Sequence, residues 1–168
     1  MAKSDLSAER LHEFVEYNQS SGVFTWRKRP HARSTCRPGD VASGGATGGY
    51  MRLSIGRDRY LQHRLAWLYV YGAFPAGELD HINGIKSDNR ICNLREVSRV
   101  VNCQNVRSAY KSSASGFLGA SYNKGMKKWR ACIRSGGKKI LLGYFQAPEQ
   151  AHAAYIEAKR RLHAGCTI

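Results

Sequence analysis

No stretch of this chain approaches the run of about 20 apolar residues that a membrane-spanning helix needs, and the mean hydropathy of −0.48 suits a water-facing surface. The five cysteines, at positions 36, 92, 103, 132 and 166, include no C-x-x-C pair. An odd, scattered set argues against a disulfide framework and against a zinc knuckle, and predicts free thiols in a reducing compartment. The opening MAKSDLSAER lacks the apolar core of a secretory signal, so a cytoplasmic protein is expected. Four glycines in Ala42 to Gly49 form no GxxxxGK[ST] or strand-GxGxxG-helix pattern, which removes the usual nucleotide cradle.

Acidic residues are also scarce. Against 27 Lys and Arg stand 12 Asp and Glu, a net charge of +15. Such an excess attracts a polyanion and makes the binding strongly salt-dependent. It is uneven: residues 108–168 hold eleven basic and two acidic residues, nine of the fifteen net charges. The C-terminal third is therefore expected to be the main polyanion-gripping part.

The densest chemistry lies in residues 80–102, DHINGIKSDNRICNLREVSRVVN. Asp80 and His81 close a short apolar run. Asn83-Gly84 favours a tight turn. Leu94 to Val97 reads as a second strand, and Ser98 as the cap of a helix carrying Val100, Val101, Asn102 and Asn105. On an extended strand Asp80 and His81 face opposite sides, so both reach one site only where the strand ends or twists. The turn just beyond supplies that break. A carboxylate and a carboxamide, Asp80 and Asn102, suit a hard ion such as Mg²⁺, which keeps waters and binds phosphate. A neutral imidazole beside them suits proton removal from water near pH 7. Asn83 and Asn89 read as turn formers.

This stretch resembles the HNH endonuclease motif, the ββα-metal fold, in the variant common among phage and intron-encoded homing endonucleases. The resemblance runs through HRLAW (63–67), DHINGIKSDNRICNL (80–94) and the N-x-x-N of Asn102 and Asn105. It implies His81 as general base, Asp80 and Asn102 as ligands of Mg²⁺ or Mn²⁺, and Asn93 as the residue that braces the loop and orients the histidine. The pattern here reads H-N-N, so the last ligand is an amide. A His-Arg pair recurs just ahead of the motif in similar sequences. His63 is thus open to two roles, structural or, like Arg64, close to a scissile phosphate.

Elsewhere the pattern is of short elements. Residues 6–17 place Leu11, Phe14 and Val15 at helical spacing. Val23 to Trp26 reads as a strand with Trp26 in the core. RKRPHARSTCRPGD (27–40) reads as a basic loop, either merely solvated or touching phosphate. Tyr50 to Gln62 reads as a hairpin turning at Gly56-Arg57-Asp58. HRLAWLYVYG (63–72) reads as a helix ended by Gly72 and packed behind the active-site hairpin. After a polar, small-residue linker come strands at 116–123, 128–134 and 139–145, then a helix from Pro148 with Ala151, Ala154, Tyr155, Ala158 and Leu162 on one face.

That last segment resembles the AP2 DNA-binding domain, through G-x-x-Y-x-K-x-x-x-KWRACIR, LGYF and PEQAHAAYIEA. Alternation puts Trp129, Ala131 and Ile133 toward the helix and Lys128, Arg130, Cys132 and Arg134 on the open face, which Lys139 and Leu141 continue. A basic sheet face of this kind can enter the DNA major groove. Tyr122 and Lys124 stand where relatives place base-contacting residues, whose own arginines and tryptophan are absent.

The expectation is an α+β protein: a ββα-metal HNH nuclease domain over residues 1–107, a linker at 108–115, and an AP2-like domain of three antiparallel strands plus one helix over 116–168. It should cut double-stranded DNA with one Mg²⁺ or Mn²⁺, using Asp80, His81, Asn93 and Asn102. Arg64, Tyr122, Lys124, Lys128, Arg130, Arg134 and Lys139 should contact DNA. The resemblance implies 5′-phosphate and 3′-hydroxyl ends, a phage or intron setting in a bacterial cell, and no nucleotide cofactor. One motif per chain favours a nicking monomer. Two other readings compete: a non-catalytic DNA-binding regulator on a nuclease-like fold, and an RNA-binding module, although no RNP1-type signature is present.

Overall fold

The computed structural model describes residues 6–168; the first five residues of the stretch read for a secretory signal lie outside the described residues. The chain divides into two compact units, one running through Ser98 and the other from Arg99.

In the first unit, Ser7 caps α1 (Ala8–Phe14), its Oγ accepting the Arg10 N–H at 3.2 Å. The helix expected over residues 6–17 stops early, because Val15 to Asn18 forms β1 instead. Val15 and Tyr17 are buried while Glu16 and Asn18 are exposed, a period of two that a helix cannot satisfy. The strand pairs with β2 (Val23–Trp26) across a turn in which the Asn18 carbonyl accepts the Gly22 N–H at 2.8 Å. The Asn18 side chain accepts the Ser20 and Ser21 N–H groups, each at 3.0 Å.

The short β3 (Ala46–Thr47), then β4 (Tyr50–Ile55) and β5 (Asp58–Leu61), form an antiparallel meander. The turn between β4 and β5 needs only two residues, Gly56 and Arg57, since Ile55 pairs with Asp58. Next, α2 (Gln62–Tyr71) ends at Gly72, whose φ of 78° is the left-handed cap conformation. It packs on β4, β5 and α1, so it backs the meander where the sequence suggested the active-site hairpin. Leu11, Val15, Phe24, Leu53, Leu65 and Leu68 fill the core between them, with Trp26 buried as expected. Then β6 (Glu78–His81) pairs antiparallel with β7 (Leu94–Val97).

The second unit holds α3 (Arg99–Gln104), β8 (Ala120–Asn123), β9 (Lys128–Ser135), β10 (Lys138–Phe145) and α4 (Pro148–Leu162). The strands form an antiparallel sheet in the order β10-β9-β8, and α4 packs on all three. Ile133 and Ala158 are buried, and Trp129 and Phe145 pack against a buried cluster of Ala120, Ala131 and Ala151. The C-terminal tail ties down the chain after α3: the Gly165 N–H donates to Gln104 Oε1 at 3.0 Å, and Arg107 donates to Thr167. Lys159, buried on α4, donates to the Val106 carbonyl. The unit thus begins before the linker that composition suggested.

Gly119 has a φ of 79°, and a Cβ there would lie 2.0 Å from Cγ of Tyr155. Left-handed strain and overpacking act together at this position. Gly119→Ala should lower stability by roughly 2–4 kcal/mol, read as a fall in the denaturant midpoint of the second unit's transition. Among the described residues, no helix is long and apolar enough to cross a membrane.

Candidate active site

Strand β6 ends at His81. Its last pairs are Asp80 with Arg95 and His81 with Leu94, after which the Gly84 N–H reaches the His81 carbonyl at 2.8 Å and Gly84 adopts a φ of 73°. The Asn-Gly turn therefore falls where the sequence placed it.

The two adjacent side chains have different neighbours. Asp80 is buried, and its Oδ2 accepts two hydrogen bonds from Arg95, from Nε at 2.9 Å and from Nη2 at 2.8 Å. Two bonds from one guanidinium fix the direction of that carboxylate. His81 is also buried, and its Nε2 bonds Oδ1 of Asn89 at 3.3 Å. Burial holds its imidazole below the ordinary histidine value, opposing the upward pull of Asn89 and of the Asp80 and Asp88 charges. The ring is therefore neutral at pH 7, the form that accepts a proton.

Between the strands, residues 82–93 form a loop organised by asparagines. Asn93 Oδ1 accepts the Asn83 N–H at 2.9 Å, while Asn93 Nδ2 donates to the Asp88 carbonyl at 2.8 Å. Asn83 Oδ1 takes the Ile85 N–H at 2.8 Å and Asn83 Nδ2 reaches Asp88 Oδ2 at 2.7 Å. Asp88 also holds Arg90 by two bonds, of 2.8 and 2.6 Å, and that pairing keeps its carboxyl down at about 2. So Asn93 braces the loop across its neck, whereas the direct bond to His81 comes from Asn89. The sequence reading took Asn89 for a turn former; it is 2% exposed and points inward. Behind it, Asn89 Nδ2 donates to Gln62 Oε1 at 3.2 Å, and Gln62 Nε2 donates to the Ala42 carbonyl at 3.0 Å. Sequence alone gave no signal for Gln62, whose polar head is buried only because α2 starts against the β4 meander.

His63 and Tyr50 line the same region. The His63 and His81 ring centroids are 5.1 Å apart, and Tyr50 lies 5.2 Å from His63 and 5.8 Å from His81. Lys86 sits over the Tyr50 ring at 4.6 Å and donates to the Gly48 carbonyl at 2.9 Å, which ties the glycine-rich loop to the site. Arg64, one step further round α2, stacks instead over Phe74 at 5.5 Å.

His63 is 5% exposed, and burial drives its pKa down to about 3, with His81 and Arg64 adding to the effect. A folded-state value below the unfolded one means the unfolded chain takes up the proton first. The stability this provides is complete above pH 6.5 and is lost as pH falls toward 3, by on the order of 1.4 kcal/mol per pH unit. Denaturant unfolding followed from pH 7 to pH 4 should show that slope, and His63→Phe should flatten it.

Residues 60–104 match the HNH endonuclease family. No curated protein and no solved structure gives a significant match to the chain. The HNH segment runs from the end of β5 through α2, β6, the asparagine loop and β7 to α3. The match supports an HNH nuclease domain, and with it a nuclease, a phosphodiester hydrolase.

Within the HNH segment, Asp80, His81 and Asn93 belong to the first unit and Asn102 lies on α3 of the second. Among the described residues no group of three or more His, Cys, Asp or Glu side chains is placed to hold a metal. The Asp80 carboxylate is the kind of hard oxygen donor that suits Mg²⁺ or Mn²⁺, ions that keep several waters and bind phosphate.

On the sheet of the second unit, antiparallel partners share a face. Lys139 pairs with Arg134 and Leu141 with Cys132, so Lys128, Arg130, Arg134 and Lys139 lie on the face opposite Ala131 and Ile133. Lys124 is exposed in the turn before β9. Tyr122 departs from the expectation. It pairs with Trp129, their ring centroids 5.2 Å apart, on the helix-side face and not among the cations.

Proposed function

We propose that this chain is a metal-dependent DNA endonuclease of the HNH homing type, cutting a phosphodiester at Asp80-His81 and targeted by its basic C-terminal sheet. The observation that carries the reading is the strand-terminal His81, buried, neutral and hydrogen-bonded, inside the segment that matches the HNH endonuclease family.

His81 takes the proton from a water aligned with the scissile phosphorus. Asp80, aimed by its two bonds from Arg95, would hold one Mg²⁺ or Mn²⁺, with Asn102 as second ligand on the resemblance to the HNH motif alone. That ion, when bound, stabilises the phosphorane charge and the departing 3′ oxygen. Asn93 holds the loop in the shape that seats His81. Lys86, exposed beside Tyr50, adds a cation at the mouth of the site. The products are 5′-phosphate and 3′-hydroxyl ends.

The second unit supplies affinity. Its AP2-like sheet offers Lys128, Arg130, Arg134 and Lys139 on one face, with Lys124 at the edge, as contacts for duplex DNA. Arg64, its guanidinium stacked over Phe74, is a further candidate contact. Covalent linkage to this module raises the effective concentration of a weakly binding nuclease at its target. A monomer that nicks one strand, encoded by a phage or mobile element, fits one motif per chain.

Incubation of the purified chain with supercoiled plasmid and Mg²⁺ or Mn²⁺ tests the reading. Relaxed or linear DNA should appear, and a chelator should prevent it. A chain that retards DNA on a gel in both conditions yet never cuts it is a regulator, and the endonuclease reading is then wrong.

A further inference from the structure

We propose that Gln62 and Asn89 are positioning residues that hold His81 as its Nε2–H tautomer, so that the lone pair that takes the proton from water sits on Nδ1. The inference rests on the base role proposed above for His81. It follows from a chain of hydrogen bonds that has only one consistent direction. The carbonyls of Ala42 and Arg52 can only accept, and both face Gln62 Nε2, at 3.0 and 3.3 Å. The Gln62 amide is thereby fixed with its NH₂ toward the backbone and its Oε1 toward Asn89. Asn89 must then turn its own NH₂ to Gln62, at 3.2 Å, which presents Oδ1 to His81 Nε2 at 3.3 Å. An oxygen there requires a donor, so Nε2 carries the hydrogen.

Burial makes the direction hold. Gln62, Asn89 and His81 are 6%, 2% and 4% exposed, so water does not stand in for a mismatched partner. The backbone of Asn89 is itself anchored, its carbonyl accepting the Tyr17 hydroxyl at 2.7 Å. Inverting the Asn89 amide would set its Oδ1 against Gln62 Oε1, two acceptors with no hydrogen between them, a cost of about 1–3 kcal/mol. A base locked in the wrong tautomer is a severe lesion: in the serine-protease triad it lowers kcat by roughly 10⁴.

Long-range ¹H–¹⁵N correlation of the full chain labelled with ¹⁵N-histidine, at alkaline pH, reads the tautomer directly. The expected result is Nε2–H at His81. Gln62→Leu removes the anchor, so the Asn89 amide can rotate; the His81 signals should shift toward Nδ1–H, and kcat should fall by roughly 10- to 100-fold with little change in KM. Adding Asn89→Asp to that variant replaces the amide by a carboxylate that can only accept. It should restore the Nε2–H pattern and recover much of kcat, which a purely structural role for Gln62 would not do. Nδ1–H in the unmutated protein overturns the proposal. So does a Gln62→Leu variant with unchanged tautomer and kcat, or a lost activity that Asn89→Asp deepens. The spectrum needs no cleavage, so a chain that shows Nε2–H but is cut-competent without His81 would overturn the base assignment alone.

Discussion

His81→Ala should lower the rate of DNA cleavage by roughly 10²–10⁴, the contribution of a positioned general base, while leaving DNA affinity within about twofold. The separation follows from where the charges are. The imidazole is neutral and buried, so removing it takes no cation from the DNA-facing surface. The net charge of +15 that drives association stays intact. Single-turnover cleavage with saturating protein isolates the chemical step, and a gel shift in the presence of chelator measures binding. His81→Gln is the useful companion, since an amide preserves polarity without accepting a proton at neutral pH. A variant that lost cutting and binding together would place His81 in a structural role instead.

Gly22→Ala carries the second large effect, although the residue is far from the motif in sequence. Gly22 has a φ of 74°, and a Cβ there would lie 2.6 Å from the Arg90 backbone nitrogen and 2.7 Å from the Asn89 carbonyl carbon. Neither is a flexible side-chain end that can swing away. Left-handed strain and the backbone clash should together cost roughly 2–4 kcal/mol. The clash also pushes on the residue that bonds His81, so cleavage should drop by about tenfold even at a temperature where the variant is fully folded. Gly72→Ala is the matched control. Its φ of 78° is similar but nothing lies within 4 Å of the added methyl. It should lose only about 1 kcal/mol and cut normally. Denaturant midpoints and cleavage rates on both variants separate the two costs; equal behaviour would mean that the β1–β2 turn does not support the site.

Much of this architecture could be read from local pattern. The strand-loop-strand-helix order around Asp80-His81, the Asn83-Gly84 turn, the helix closed by Gly72 and the three strands followed by a helix all follow from short-range signals of turn, cap and periodicity. What could not be read was decided by distant partners. Val15 and Tyr17 look helical beside Leu11 and Phe14 until β2 pairs with them. Tyr122 sits two residues before the turn into β9, and only the register with Trp129 reveals which face it takes. The site shows the same division. Asp80, His81 and Asn93 announce themselves by spacing, whereas Gln62, Asn89 and Arg95 gain their roles from neighbours 27, 8 and 15 residues away. An asparagine in a polar loop carries no sign that it will be buried against a histidine. The carboxylate-to-Arg95 pairing was equally hidden, because it depends on cross-strand register.

The central proposal is that Asp80 and His81, neighbours at the end of β6, serve one catalytic cation. Titrating Mn²⁺ into the ¹⁵N-labelled full chain tests it most directly, through the paramagnetic broadening of nearby signals. One saturable site should broaden the signals of His81, and Asp80→Ala should abolish that broadening along with cleavage. Broadening confined to some other surface, with cleavage unaffected by Asp80→Ala, would contradict the account.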